Sequence, residues 1–160
     1  MLIEIKHNNK DKIEEYIKLN SLFIREYYLP VIKENDIPTF EIFNNIQTIA
    51  NEIKEKSHRY YLINFNNEIA GALLLENGNI PCIYQIFILK KYRKQKLSYK
   101  IINELEEILK KENINQIKLS LLESKNKLAK IVDKWGFKKT ETSARYIGNN
   151  IYLYENIYSL

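Results

Sequence analysis

The chain has 160 residues, a net charge of +5 and a pI near 9.1, with 45% hydrophobic and 28% charged residues. These values exclude a disordered polar chain and suit one globular domain with its own core, so residues 1–160 are expected to form a single domain. The lone Cys82 excludes an internal disulfide, the start MLIEIKHNNKDK turns polar too early for a signal peptide, and runs such as IAGALLL fall short of the roughly 20 residues of a membrane span, so a cytoplasmic protein without a membrane partner is expected.

Residues 2–6 (LIEIK) alternate apolar and polar and predict a first strand. NNKDKIEEYIKLNSLFIREYYLPVIKE repeats its apolar residues at helical spacing, with Pro30 set to kink or divide it. TFEIFNNIQTIANEIKEK carries Phe40, Phe43, Ile46, Ile49, Ala50 and Ile53 on one stripe and predicts one helix with Thr39 as N-cap. RYYLINFN, EIAGALLLE and IPCIYQIFIL, separated by short turn-rich links, predict a three-stranded antiparallel meander.

A helix follows with Ile101, Ile102, Leu105, Ile108 and Leu109 on one face and Glu106–Lys110 and Glu107–Lys111 as i, i+4 pairs on the other. INQIKLSLL predicts a strand, SKNKLAKIVDKW a helix stopped at Gly136, and FKKTETS and NIYLYENIY two closing strands. The strand-helix-strand unit near residues 83–122 can pair its strands in parallel inside an otherwise antiparallel sheet. The expected class is therefore α/β, with a mixed, mostly antiparallel sheet of about seven strands flanked by helices.

Between the third meander strand and its helix lie Lys90, Lys91, Arg93, Lys94 and Lys96, five basic residues in seven positions. Cations beside the free N–H groups of a helix N-terminus suit an anionic ligand. A solvated junction is the bland alternative. A nucleic-acid surface is the weaker one, because the aromatics alternate along strands and form no stacking platform.

The order of elements, with FILKKYRKQKLSYKIINEL and then KLAKIVDKWGFKKT, resembles the GNAT superfamily of acetyl-CoA-dependent N-acetyltransferases. Ile88 matches its Val-like strand residue, Tyr92-Arg93 the pair before its loop, and Gly136-Phe137 its late Gly-Phe pair. The resemblance implies an acyl-CoA N-acyltransferase fold and acetyl-CoA as cosubstrate. It implies a pyrophosphate site at Arg93, Lys94, Gln95, Lys96, Leu97 and Ser98, and a pantetheine arm along the backbone of Phe87, Ile88 and Leu89. It also implies transfer of acetyl to a small-molecule or peptide amine.

Lys96 and Ser98 stand where the family pattern has small residues, Gln85 where many members have a general-base Glu, and Val132 where many have a proton-donating Tyr. An amide takes no proton at neutral pH, so Gln85 is expected at most to position water, and the general acid is unassigned. The rival function is an inactive domain of the same fold that binds coenzyme A or an acidic partner in a regulatory role. No metal is proposed, since His7 and His58 lack ligand-spaced neighbours. Cys82, Trp135 and Phe137 are expected to pack, as are Tyr146, Tyr152 and Tyr154, one of which could instead face the cleft. The oligomeric state is open, a dimer being compatible with the chain.

Overall fold

The computed structural model describes residues 1–148 and 150–160. Strand β1 (Leu2–Glu4) leads to α1 (Lys10–Tyr28), which Asn9 opens by accepting a hydrogen bond from the Lys12 N–H at 3.1 Å. The helix ends just before Pro30, as a residue without an N–H requires. After a 3-10 turn at Glu34–Asp36 come α2 (Ile37–Glu41) and α3 (Ile46–Lys54).

The single helix expected over residues 39–55 is thus two, with Thr39 inside α2 rather than capping. The cause lies in two asparagines. Asn45 accepts from the Thr48 N–H at 2.9 Å and caps α3, while the Asn44 amide reaches Ile17, Asn20 and Ser21 of α1. Side-chain amides here offer the backbone an alternative to a continuous helix. Phe43, expected on the buried stripe, is 68% exposed at the break.

The meander forms as expected: β2 (His58–Phe65), β3 (Glu68–Glu76) and β4 (Cys82–Ile88) pair antiparallel. Helix α4 (Leu97–Lys111) then leads to β5 (Lys118–Leu122), α5 (Asn126–Lys134), β6 (Lys138–Gly148) and β7 (Ile151–Ser159). The seven strands form one sheet in the order β1-β2-β3-β4-β5-β7-β6, parallel only between β4 and β5. This is the mixed, mostly antiparallel seven-stranded sheet flanked by helices that the sequence predicts.

Two apolar layers sandwich the sheet. Ile101, Ile102, Leu105 and Leu109 of α4 and Val132 of α5 pack on one face; Ile13, Tyr16, Leu19 and Phe23 of α1 with Ile49 of α3 pack on the other. On the outer face of α4, Lys110 lies near both Glu106 and Glu107, so Glu107 pairs three residues on rather than with Lys111. Phe137 and Cys82 are buried as expected, and burial pushes the Cys82 thiol up to about 12. Tyr146, Tyr152 and Tyr154 are 56%, 57% and 59% exposed, contrary to the packing expected of them. They point off the outer face of a β6–β7 ribbon whose inner face carries Leu153 and Glu155. Among the described residues no helix is long and apolar enough to cross a membrane.

Candidate functional site: a wedge between two strands

Parallel strands β4 and β5 pair only at Cys82–Lys118 and Ile83–Leu119, then separate. A bulge at Tyr84, where Leu74 and Leu75 pair with Gln85 and Ile83, bends β4 as the gap opens. The result is a cleft of about 600 Å³ walled by β4 on one side, β5 and α5 on the other, and roofed by the last turns of α1. Of the residues expected to bind a cosubstrate, Phe87, Ile88, Arg93, Lys94, Lys96, Leu97 and Ser98 line it, while Leu89 and Gln95 lie outside the lining.

Strand alternation aims the backbone of β4. Leu89 N–H donates to Ala70 O at 2.9 Å, toward β3, so the N–H and C=O of Ile88 and Ile86 point the other way, into the gap. Gly71 makes the close β3–β4 contact possible, since a Cβ there would sit 1.9 Å from Phe87 O. The Ile88 carbonyl accepts from Arg93 Nε at 2.8 Å, and Arg93 Nη1 pairs with Glu26 of α1 at 2.6 Å. Arg93 therefore ties the end of α1 to the end of β4. Its guanidinium holds the Glu26 carboxyl below the usual carboxylate range.

The basic loop is pinned at both ends and open between them. Tyr92 is buried against Phe65 and bonded to Glu68, and Leu97 is buried with Ile101. Between them Lys94 and Lys96 adopt φ of +68° and +56°, the left-handed region that costs a residue with a Cβ roughly 1–2 kcal/mol. Lys96 is the N-cap of α4, so the position at which the family pattern has a small residue does need the conformation glycine supplies. Ser98 is helical and carries no such strain. The five basic residues divide: Lys90 is exposed outside the lining, Lys91 pairs with Glu68 at 2.8 Å, and Arg93, Lys94 and Lys96 reach the cleft.

Gln85 is 4% exposed on the α1 side of the wedge. Tyr16 Oη donates to its Oε1 at 2.9 Å, which leaves Nε2 buried without a partner in a residue that lines the cleft. Burial drives the Tyr16 hydroxyl far above its ordinary range, so it stays a donor and fixes the amide. On the opposite wall Ser120 Oγ is likewise buried and unpartnered. Lys125, at the start of α5, places Nζ 4.8 Å from the Tyr27 ring, while Tyr27 Oη accepts from the Leu122 N–H at 3.0 Å. Desolvation pulls the Lys125 ammonium below the usual lysine range, with Glu26 opposing it. Val132 is buried in the core and offers no proton.

Sequence reasoning missed Tyr16, Tyr27, Ser120 and Lys125. They come from α1, β5 and α5 and meet only through the topology, so no local spacing announces them. Together the wedge presents exposed backbone on β4, cations at a helix N-terminus, and side-chain donors on both walls. It can hold an extended ligand with an anionic end and a polarised carbonyl.

A family model described as an acetyltransferase (GNAT) domain matches residues 28–154. The PaiA N-acetyltransferase of Thermoplasma acidophilum in complex with coenzyme A superposes with a TM-score of 0.76 at 16% identity, over 97% of this chain and 96% of that one. A GNAT-family acetyltransferase from Streptococcus pneumoniae gives 0.69 at 16%, covering 100% and 97%. The spermidine N-acetyltransferase of Vibrio cholerae in complex with CoA and spermine gives 0.67 at 15%, covering 100% and 94%. No curated protein matches the chain.

Proposed function

The chain belongs to the GNAT acetyltransferase family, and from that premise we propose that it transfers the acetyl group of acetyl-CoA to a primary amine by direct attack on the thioester. The observation that carries this reading is the β4–β5 wedge, with the Ile88 backbone turned into it and the basic start of α4 at its mouth. The pyrophosphate would lie against residues 93–98, and the pantetheine arm would run along Phe87–Leu89 as an added strand. Its amide would take the Ile88 carbonyl that Arg93 now occupies. The reading places one catalytic domain over residues 1–160, working in the cytoplasm.

The amine nitrogen forms a bond to the thioester carbon, the C–S bond breaks, and coenzyme A leaves as thiolate. The proton shed by the amine passes to water, which Gln85 Nε2 can hold by donation, its amide fixed by Tyr16. Backbone N–H groups of β4 stabilise the tetrahedral oxyanion, and holding the two reactants together supplies several kcal/mol.

Because among the described residues no lining carboxylate other than the Arg93-paired Glu26 is available as a base, the amine's own ionisation should set the pH dependence. For a lysine-type amine, pKa ~10.4, thiol release under kcat/KM conditions should climb from pH 7 toward that value. A plateau near neutral pH that ignores the acceptor's pKa would reveal an enzyme base and defeat the water route. A second reading, a coenzyme-binding domain without turnover, is favoured by Gln85 and the buried Val132. Binding of acetyl-CoA without thiol release for any amine would select it.

A further inference from the structure

The cleft as a whole has an electrostatic sign. Its lining holds Arg93, Lys94, Lys96 and Lys125 against one acid, Glu26, and Glu26 is spent on Arg93 at 2.6 Å. The buried Glu155, on the same face of the sheet, lies outside the lining and is held by Arg145 at 2.7 Å. A polyamine needs unpaired carboxylates to exchange for its hydration, and among the described residues the cleft has none.

The opposite chemistry is present. Lys125 is half-buried, faces the cleft, rests on the Tyr27 ring and makes no ion pair among the described residues. On the same β5–α5 wall, Ser120 is 5% exposed and its buried Oγ has no partner. A partly desolvated cation and an unsatisfied hydroxyl on one wall form an incomplete site whose missing component is an anion. The start of α4 supplies separate cations, Lys94 and Lys96, so the pyrophosphate does not need Lys125.

We infer that the acceptor is a small amine carrying a carboxylate, of amino-acid rather than polyamine class, and that Lys125, assisted by Ser120, holds that carboxylate. This rests on the acetyltransferase reading for its chemistry but not for its binding geometry. Pairing with the ammonium fixes one end of the acceptor on the β5–α5 wall. Its amine is then free to reach the thioester in the wedge.

The experiment compares amino acids with their own amides and with spermidine, in two arms: kcat/KM with acetyl-CoA at a pH where all the amines are partly neutral, and calorimetric binding to the CoA-loaded protein. Amino acids should exceed their amides by about tenfold in both arms, the scale of one charge-assisted hydrogen bond. Lys125→Gln should erase that ratio and raise acceptor KM while acetyl-CoA KM moves less than about twofold, and Lys125→Glu should favour spermidine. Lys127→Gln, an exposed neighbour, should change neither. Preference for spermidine by the native protein, or loss of acetyl-CoA affinity with an unchanged acceptor ratio in Lys125→Gln, overturns the inference. Discrimination in the binding arm without turnover would retain it while ending the acetyltransferase reading.

Discussion

The two walls of the wedge are built to different standards of commitment. Along β4 most groups are held in place: one backbone edge is paired with β3 to the end of the strand, Tyr16 fixes Gln85 with only its Nε2 left unpartnered, and Arg93 covers the Ile88 carbonyl. Across the gap, β5 is paired with β7 throughout, yet Ser120 and Lys125 face the cleft with their polar atoms unspent. A preorganised wall suits the part of a ligand that never varies, here the cosubstrate arm. Unspent donors suit the part that distinguishes one acceptor from another.

The largest test of that contrast is a pair of alanine substitutions, one on each side. Gly71→Ala drives a Cβ to 1.9 Å from Phe87 O, a backbone atom that can retreat only by opening the β3–β4 pairing. It should cost about 3 kcal/mol, the upper end for overpacking, in urea unfolding. Ser120→Ala removes a buried hydroxyl that has no partner and should leave stability unchanged or raise it by up to about 1 kcal/mol. Similar losses from both would mean that the β5 wall is as fully committed as β4.

A smaller effect separates charge from backbone at Lys96. Both Lys96→Ala and Lys96→Gly remove the ammonium, but only glycine meets φ of +56° without strain. The glycine variant should therefore be about 1 kcal/mol more stable than the alanine variant in the same urea assay. Acetyl-CoA affinity should fall alike in both if the lysine acts as a charge. Recovery in the glycine variant alone would show that backbone approach is what the loop lacks.

The order of strands and helices could be read from the chain because it is written in local periods: alternation in β2–β4, a 3.6-residue stripe in α4, and turn residues between them. The wedge could be inferred only through a family resemblance, since the separation of β4 from β5 after two register pairs depends on what packs around them. The break between α2 and α3 escaped periodicity because the apolar stripe runs on through it. Asn44 and Asn45 decide the matter by hydrogen bonds, one of them to a helix more than twenty residues away. The tyrosines of β6 and β7 misled for a related reason: alternation identifies two faces, and without the neighbouring layer it does not say which one is covered. Lys125 sits in a stretch of lysines that reads as ordinary surface, and its distinction is the Tyr27 ring beneath it.

The smallest effect concerns the link that fastens the β4 wall to α1. Glu26 has a carboxyl held below its ordinary value of 4.5, chiefly by the hydrogen bond from Arg93. A folded-state pKa lowered in this way gives stability that is fully present above the unfolded value and is lost as pH falls through the folded one. Native protein and Glu26→Gln should therefore differ most at pH 6 and above, and converge as the pH drops below about 4. Because both partners are well exposed to solvent, with side-chain exposures of 36% and 41%, the difference should stay under about 1 kcal/mol and shrink with added salt. Unfolding free energies of the two proteins, measured side by side across that range, provide the check. A constant offset at every pH would show that Arg93 is held by the Ile88 carbonyl alone, and that the wall on β4 owes nothing to the charge on α1.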